Sequence, residues 1–319
     1  MSNVNSILFI RYDDKIGDVV CATMLFREIK KAYPKIKIAL MCGKKSEPIV
    51  KFNPFVDEIL NYSKRFYKDV FVVIKNRHKF DLAFDFDISI PKFLQLLLLR
   101  VLLPSFLIGL NKKQINIYDL SIDITDTQKL GEHITFRHKL FLKTLGIANV
   151  QNKYDIFIPD EIQNEATDLF SKAKEKIKVI LNPFADSSDR CFLIEDIKNL
   201  IENLKKFNTQ IYILCHGNHY KRIKNLLHCT YHVASVLSKS ILNSAALIKF
   251  CDIVITPDTS IAHIASAFEK KAIVVYINNG SRILWSPNNA NATAVYAETM
   301  KDVDVDLITE KFKEEFILG

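Results

Sequence analysis

Apolar residues along this chain fall into short unbroken runs that alternate with segments of helical periodicity. Ser6 to Arg11, Ile36 to Met41, Val56 to Asn61 and Asp81 to Phe86 read as strands, and Val19 to Tyr33 reads as an amphipathic helix between the first two. Runs without polar alternation suit strands buried on both faces, as in a parallel sheet covered by crossover helices. Leu130 to Leu145 predicts a helix stopped by Gly146, with Ile147 to Asn164 as a linker. The pattern then restarts. Lys178 to Asn182, Gln210 to Cys215, Tyr231 to Ala234, Asp252 to Thr256 and Ala272 to Ile277 read as strands. Helices are expected over Ile194 to Phe207, His219 to Leu227 and Ile241 to Phe250, with another opening at Asp258 to Ser260. A last helix spans Val305 to Phe316. The expected fold class is α/β, two doubly wound halves facing a central cleft: domains 1–155 and 165–304, and a terminal helix in 305–319 that could pack back on the N-terminal half. Ligands of such sheets bind in the loops after the strands, and a cleft between halves is a usual place for them.

At 319 residues the chain is long enough for two ordinary domains. Its start, MSNVNSILFIRYDDK, has no basic n-region and places acidic residues directly after a short apolar run, unlike a signal peptide. No uncharged apolar stretch reaches the roughly 18 residues of a membrane-spanning helix. The nearest, Phe93 to Leu110, is broken by Arg100 and Pro104 and reads as a buried helix plus a strand, with attachment to a membrane surface the weaker option. Cys21, Cys42, Cys191, Cys215, Cys229 and Cys251 show no CxxC spacing, and several sit in apolar runs, which suits reduced thiols in a cytoplasmic core. A net charge of +8 implies an anionic partner. Nucleotide sugars, phosphorylated glycans and anionic lipid surfaces all satisfy it, whereas no basic stretch interleaved with aromatics marks a nucleic-acid binder.

The eight glycines stand more than a dozen positions apart, so neither GxGxxG nor a Walker A loop is present. That argues against a nicotinamide or flavin dehydrogenase and against a P-loop ATPase. Gly17 stands alone before Asp18 where the first helix begins. A glycine there lets a second molecule approach the backbone, and Asp18 can present a carboxylate to it, although capping the helix would use the same residue. Pro257 is expected to end its strand's ladder, and Asp258, Thr259 and Ser260 are N-cap residues before the apolar positions Ile261, Ile264, Ala265 and Phe268. The amides and positive dipole end of that helix make the turn ready for phosphate, and His263 lies one turn in from Thr259. A capped helix with a core histidine is equally consistent with these residues.

Lys64, Arg65 and Lys68 belong to a cationic segment that is either a solvated helix face or a contact for a phosphorylated acceptor. Asp85 and Asp87 spell DxD, a spacing that can hold a metal ion with a diphosphate, but no supporting site accompanies them and a structural role is preferred. Cys215, His216, His219, His228, Cys229 and His232 could suggest zinc, yet Cys215 ends a buried strand and the others need not converge. No metal is expected.

The segments ILFIRYDDKIGDVV, GEHITFRHKLFLKTLG and DTSIAHIASA together resemble glycosyltransferase family 9, the heptosyltransferases of lipopolysaccharide core assembly. The first matches the family's apolar strand, basic residue, polar loop and Gly-Asp-Val. The second matches His-x-x-x-Arg through His133 and Arg137, and the third matches Asp-Thr-Gly-x-x-His-x-Ala-Ala with Ser260 in place of glycine. The resemblance covers nearly the whole chain. It implies a GT-B fold of two Rossmann-like domains, the N-terminal one for the acceptor and the C-terminal one for the nucleotide sugar, and an inverting transfer without metal or other cofactor. It implies Asp18 as general base. Arg190, where the family has lysine in Lys-x-Trp-Pro, would stabilise the leaving diphosphate together with Thr259 and the amides of Ser260 and Ile261. Gly17, Ser187, Gly217, Asp258, Ser260 and His263 fall on the donor side; Lys64, Arg65, Lys68 and Arg137 fall toward a phosphorylated acceptor. Tyr220 stands where an acidic ribose contact is usual, so the donor is open. The expected enzyme moves a sugar, heptose from ADP-heptose, to a phosphorylated lipid-linked oligosaccharide at the cytoplasmic face of the inner membrane, with peripheral membrane contact. A hexose or N-acetylhexosamine nucleotide donor, or a non-catalytic nucleotide-sugar-binding protein, are the alternatives.

Overall fold

The computed structural model describes residues 4–125, 131–173, 176–215, 223, 233–237, 240–277 and 283–318. The chain divides into two units, Met1–Phe157 and Ile158–Gly319. In the first, β1 (Ser6–Ile10), β2 (Lys37–Cys42), β3 (Glu58–Asn61), β4 (Leu82–Asp85), β5 (Phe106–Leu110) and β6 (Leu120–Ile122) form a parallel sheet in the order β3-β2-β1-β4-β5-β6. The helices between them are α1 (Ile16–Ala32), α2 (Glu47–Lys51), α3 (Phe66–Lys75) and α4 (Phe93–Leu102), followed by α5 (Ile134–Thr144).

Both faces of this sheet are covered, which is why the middle positions of β1, β2 and β4 are apolar without alternation. Leu8 and Ile10 point to the side closed by Val73 of α3 and by Leu98, Leu99 and Leu102 of α4. Phe9 points the other way and meets Phe26 of α1 and Phe141 of α5, as the two-residue period of a strand requires. Phe84 stacks on Phe141 with ring centroids 4.0 Å apart.

The second unit repeats the plan with β7 (Ile177–Leu181), β8 (Thr209–Cys215), β9 (Val233–Leu237), β10 (Ile253–Pro257), β11 (Lys271–Ile277) and β12 (Ala292–Ala297), ordered β12-β11-β10-β7-β8-β9. Its helices include α6 (Asp160–Ser171), α7 (Ile194–Leu204), α8 (Ile241–Phe250), α9 (Ser260–Ala267) and α10 (Val305–Lys313). Ile308 and Phe312 of α10 lie in this unit's own core, beside Leu204, Val295 and Ile273.

In each unit the direction of winding reverses between two central strands, β1 and β4 in the first, β7 and β10 in the second. The carboxyl ends of such strand pairs are where open α/β sheets hold ligands.

Some boundaries differ from expectation. Helix α1 starts at Ile16, so Gly17 and Asp18 lie inside its first turn, and the N-cap is Lys15. Pro257 ends its strand as expected: it is the last residue of β10, in register with Val275. Pairing of β10 with β7 stops at Ile255, while Asp258 donates its amide to Val275 on the β11 side. The missing amide hydrogen of Pro257 therefore faces a side without a ladder partner. The expected linker is shortened by α6, which begins at Asp160. The expected helix His219 to Leu227 lies largely outside the described residues.

The loop before α1 is pinned from a neighbouring loop. Asp14 accepts hydrogen bonds from the amides of Lys45 and Ser46, at 2.9 and 3.1 Å, and from the Ser46 hydroxyl at 3.2 Å. A Cβ on Gly43 would lie 2.4 Å from Asp14 Cγ, so only glycine fits beneath this carboxylate. Gly43→Ala is expected to lower stability by about 1–3 kcal/mol through loss of these bonds. Urea unfolding of Gly43→Ala, Asp14→Ala and the double variant checks this, and the two effects should fall well short of additive.

Candidate active site

At the switch point of the first sheet, Arg11 follows β1 and Asp18 sits in the first turn of α1, both largely buried. Arg11 Nη2 donates to Asp18 Oδ2 at 2.6 Å, and its Nε and Nη2 grip Asp13 at 3.0 to 3.2 Å. The guanidinium carbon lies 5.6 Å from the ring centre of Phe86, just beyond β4. Two carboxylates and an aromatic face thus fix Arg11, and Arg11 fixes Asp18.

Burial pushes the Asp18 carboxyl above its ordinary range, against the opposing pull of the Arg11 charge. A carboxylate tuned upward is a better proton acceptor near neutral pH than a solvated one. Arg137, from α5, is only 6% exposed. Its Nε has no hydrogen-bond partner among the described residues. Burial pushes this guanidinium down while Asp18 pushes it back up, which puts the two in electrostatic reach. His138 is held neutral, with burial foremost and Arg11 assisting in driving its imidazole down to about 3.

One consequence is a pH effect with a definite sign. If Asp18 must be ionised for turnover, the acid limb of kcat/KM lies above the usual carboxylate range. Arg11→Met removes the charge that lowers this pKa, so the limb is expected to move to higher pH and the rate at a fixed near-neutral pH to fall; a kcat/KM profile across pH 4 to 9, a range set by ordinary carboxylate and imidazole values of about 4 and 6.5, checks it.

The switch point of the second sheet carries the other group. Asn182, directly after β7, donates its side-chain amide to Thr256 Oγ1 at 2.9 Å and to Thr259 Oγ1 at 3.2 Å. The two threonine hydroxyls are 3.1 Å apart. Thr259 is the N-cap of α9, its hydroxyl accepting from the Ile261 amide at 3.3 Å. Arg190 reaches the same turn, its Nη1 donating to the Asp258 carbonyl at 3.0 Å. Burial raises the Asp258 carboxyl, and Arg190 partly offsets this. One turn into α9, His263 is 4% exposed and meets Trp285 edge-on, with ring centres 5.9 Å apart. Ser260 is half-buried at the start of the helix.

The remaining expected residues divide. Ser187 is exposed, and its hydroxyl donates to Asp189. Lys64, Arg65 and Lys68 are exposed at the start of α3, beyond β3, with Lys64 in the left-handed region at φ 60°. Gly217 lies outside the described residues, as do His216, His219, Tyr220, His228, Cys229 and His232. Asp85 of the DxD pair is fully buried and accepts the Tyr118 hydroxyl at 2.5 Å and the Asp87 amide at 3.0 Å; burial pushes it up to about 6. Among the described residues, no three His, Cys, Asp or Glu side chains are grouped to hold a metal ion.

Comparison with known sequences decides the lineage. The model of glycosyltransferase family 9 (heptosyltransferase) matches residues 83–311. The chain belongs to glycosyltransferase family 9.

This glycosyltransferase is 24% identical to the Escherichia coli K12 protein named "Putative lipopolysaccharide heptosyltransferase 4", over 98% of this chain and 87% of that one. Its fold is similar to the family 9 glycosyl transferase of Veillonella parvula, at a TM-score of 0.84 and 14% identity, covering 99% of this chain and 98% of that one. It is also similar to the E. coli heptosyltransferase WaaC with ADP, at 0.79 and 17%, covering 97% and 99%. The family 9 chain therefore has the GT-B fold. Arg11, Asn182 and Thr256 were given no side-chain role from sequence: Arg11 entered only as the basic residue of the first motif, and Asn182 only as the start of a segment, 182–190, expected at the cleft. Each is a polar residue at or just past the end of an apolar strand, and that position at a switch point is the signal that finds them.

Proposed function

We propose that this glycosyltransferase transfers heptose from ADP-heptose to a lipopolysaccharide core acceptor, with inversion at the anomeric carbon. What carries the reading is the α9 turn, which Thr259 caps and which the Arg190 guanidinium reaches through the Asp258 carbonyl. Such a turn suits the diphosphate of a nucleotide sugar. The 3.3 Å bond from the Ile261 amide to Thr259 is long, and a phosphate oxygen would displace it. Arg190 then stabilises charge growing on the leaving oxygen, which allows transfer without a divalent ion. Asp18 accepts the proton of the attacking hydroxyl as the new glycosidic bond forms and the bond to the diphosphate breaks. Arg137 is a cation for an anionic group on the acceptor, joined at the sheet edge by Lys64, Arg65 and Lys68. Ser187, Asp258, Ser260 and His263 shape the donor side, with Gly17 leaving room beside Asp18. The reading extends to a chain that works at the cytoplasmic face of a membrane, since the acceptor is lipid-linked; no helix among the described residues is long and apolar enough to cross one.

The test is incubation of purified protein with ADP-heptose and a truncated core acceptor, with product read by mass spectrometry and EDTA in a parallel arm. Transfer unaffected by EDTA is expected. Transfer only from a UDP-linked hexose or N-acetylhexosamine, or nucleotide binding without turnover across acceptors, would overturn it.

A further inference from the structure

Helix α3 is apolar on two sides. Val73 enters the core beneath it, with Val70 and Val72 packed alongside. On its outer side Tyr67, Phe71 and Ile74, spaced i, i+4 and i+7, are 66, 69 and 55% exposed, and Phe66 opens the helix equally uncovered. That spacing places the three on one stripe. Lys68 and Lys75 line the stripe's edge, and Lys64, Arg65 and Arg77 flank the helix ends. The acidic residue of this segment, Asp69, is turned inward, where it accepts from the Ser63 amide and hydroxyl at 2.7 and 2.8 Å. The outer face is therefore aromatic and cationic.

A second apolar group leads into α4. Ile90 and Phe93 are 84 and 82% exposed. Helices α3 and α4 cover the same face of the first sheet. Because β1, β3 and β4 are parallel, α1, α3 and α4 all begin at one sheet edge, the edge that carries Asp18.

We propose that this face rests on an anionic lipid bilayer, with Tyr67, Phe71, Ile74, Ile90 and Phe93 entering the headgroup region and Lys75 and Arg77 meeting lipid phosphates. Contiguous exposed aromatic and aliphatic side chains mark an interaction surface. The core of a protein interface is depleted of lysine, whereas an amphipathic helix with lysines beside its apolar stripe matches a negatively charged membrane interface. Ten residues of helix are about 15 Å long, half of the roughly 30 Å bilayer core, so α3 lies in the interface plane. Docked this way, the edge bearing Asp18 faces an acceptor anchored in the same bilayer, a consequence that rests on the lipid-linked acceptor proposed above.

The experiment is co-sedimentation of the full chain with vesicles of phosphatidylcholine containing about a quarter phosphatidylglycerol, against phosphatidylcholine alone, repeated at about 0.5 M salt, where charges more than about 4–5 Å apart are screened. Binding to the anionic vesicles, weakened by salt, is expected. Phe71→Asp with Ile74→Asp should reduce it at least tenfold while melting temperature and turnover of a lipid-free acceptor stay at the wild-type level. Should that pair disturb folding, Lys75→Glu with Arg77→Glu gives the same loss on anionic vesicles by charge alone. Equal binding by wild type and both variants, no binding of the wild type, or a concentration-dependent dimer abolished by the apolar pair would overturn the proposal. Vesicle binding requires no sugar donor, so its outcome is separate from whether ADP-heptose is the substrate.

Discussion

Asp18→Asn is expected to lower kcat by about 10²- to 10⁴-fold, the range of a lost general base, equivalent to about 3–5 kcal/mol of barrier. Asparagine keeps the shape of the side chain and an oxygen for Arg11, so the Arg11–Asp13 pair and the first turn of α1 should persist. Donor affinity should also persist, because the proposed diphosphate turn belongs to the other unit. The measurement is kcat with a saturating donor and acceptor, beside an ADP-induced rise in melting temperature. Unchanged turnover would remove Asp18 from the chemistry and leave its pairing with Arg11 as structure. The acid limb of the pH profile attributed to Asp18 should vanish with it.

The largest expected loss of stability lies at Arg27, away from either cluster. This guanidinium, 6% exposed, donates to Glu28 at 2.8 Å, to the carbonyls of Gln151 and Lys153 at 2.7 Å each, and to the Asp155 carboxylate. Thr23 of the same helix accepts the Asp155 amide at 2.9 Å. Arg27→Ala leaves the Asp155 carboxylate and two carbonyls without this donor, and a 4%-exposed Glu28 with Lys31 at 3.2 Å in its place. Breaking such a buried pair costs about 3–5 kcal/mol, a large part of the roughly 5–15 kcal/mol that separates folded from unfolded states. Urea unfolding should show an earlier first transition. Arg27→Lys should fall between the two, since lysine keeps the charge but cannot fork to carboxylate and carbonyls together. A first transition at the wild-type position in Arg27→Ala would show that segment 151–155 is held by other contacts.

Much of this architecture was legible because each central strand is apolar on both faces and each helix after it is periodic. Ser6 to Arg11 and Asp252 to Thr256 read correctly for that reason, and Ile241–Phe250 agreed at both ends. The elements that escaped notice lack that contrast. Helix α3 sits in a cationic stretch whose outer face is as apolar as its inner one, so its periodicity is blurred. Strand β12 has an exposed edge position, Tyr296 at 54%, and half-buried neighbours, which dilutes a buried-strand pattern. The start of α1 was placed late since Ile16 and Gly17 look like loop, and the propensity of glycine is overridden by packing of Val19, Val20 and Met24 in the core.

At the two clusters, sequence pointed to Asp18 and Thr259 through turn chemistry. It could not give the partners of Arg11 and Asn182, which lie across a loop or on another strand: Asn182 meets Thr256 across 74 positions of chain. Such pairings become visible only once strand order is known. The DxD reading turned on the same kind of information, because Tyr118 approaches Asp85 from a loop beyond β5.

Each unit builds its own six-stranded sheet and has loops after its own pair of central strands. Among the described residues, no strand is shared between them. Under the proposed division of substrates, specificity can be inherited half by half: changes around β1 and β4, or around β7 and β10, leave intact the hydrogen-bond ladder of the other sheet.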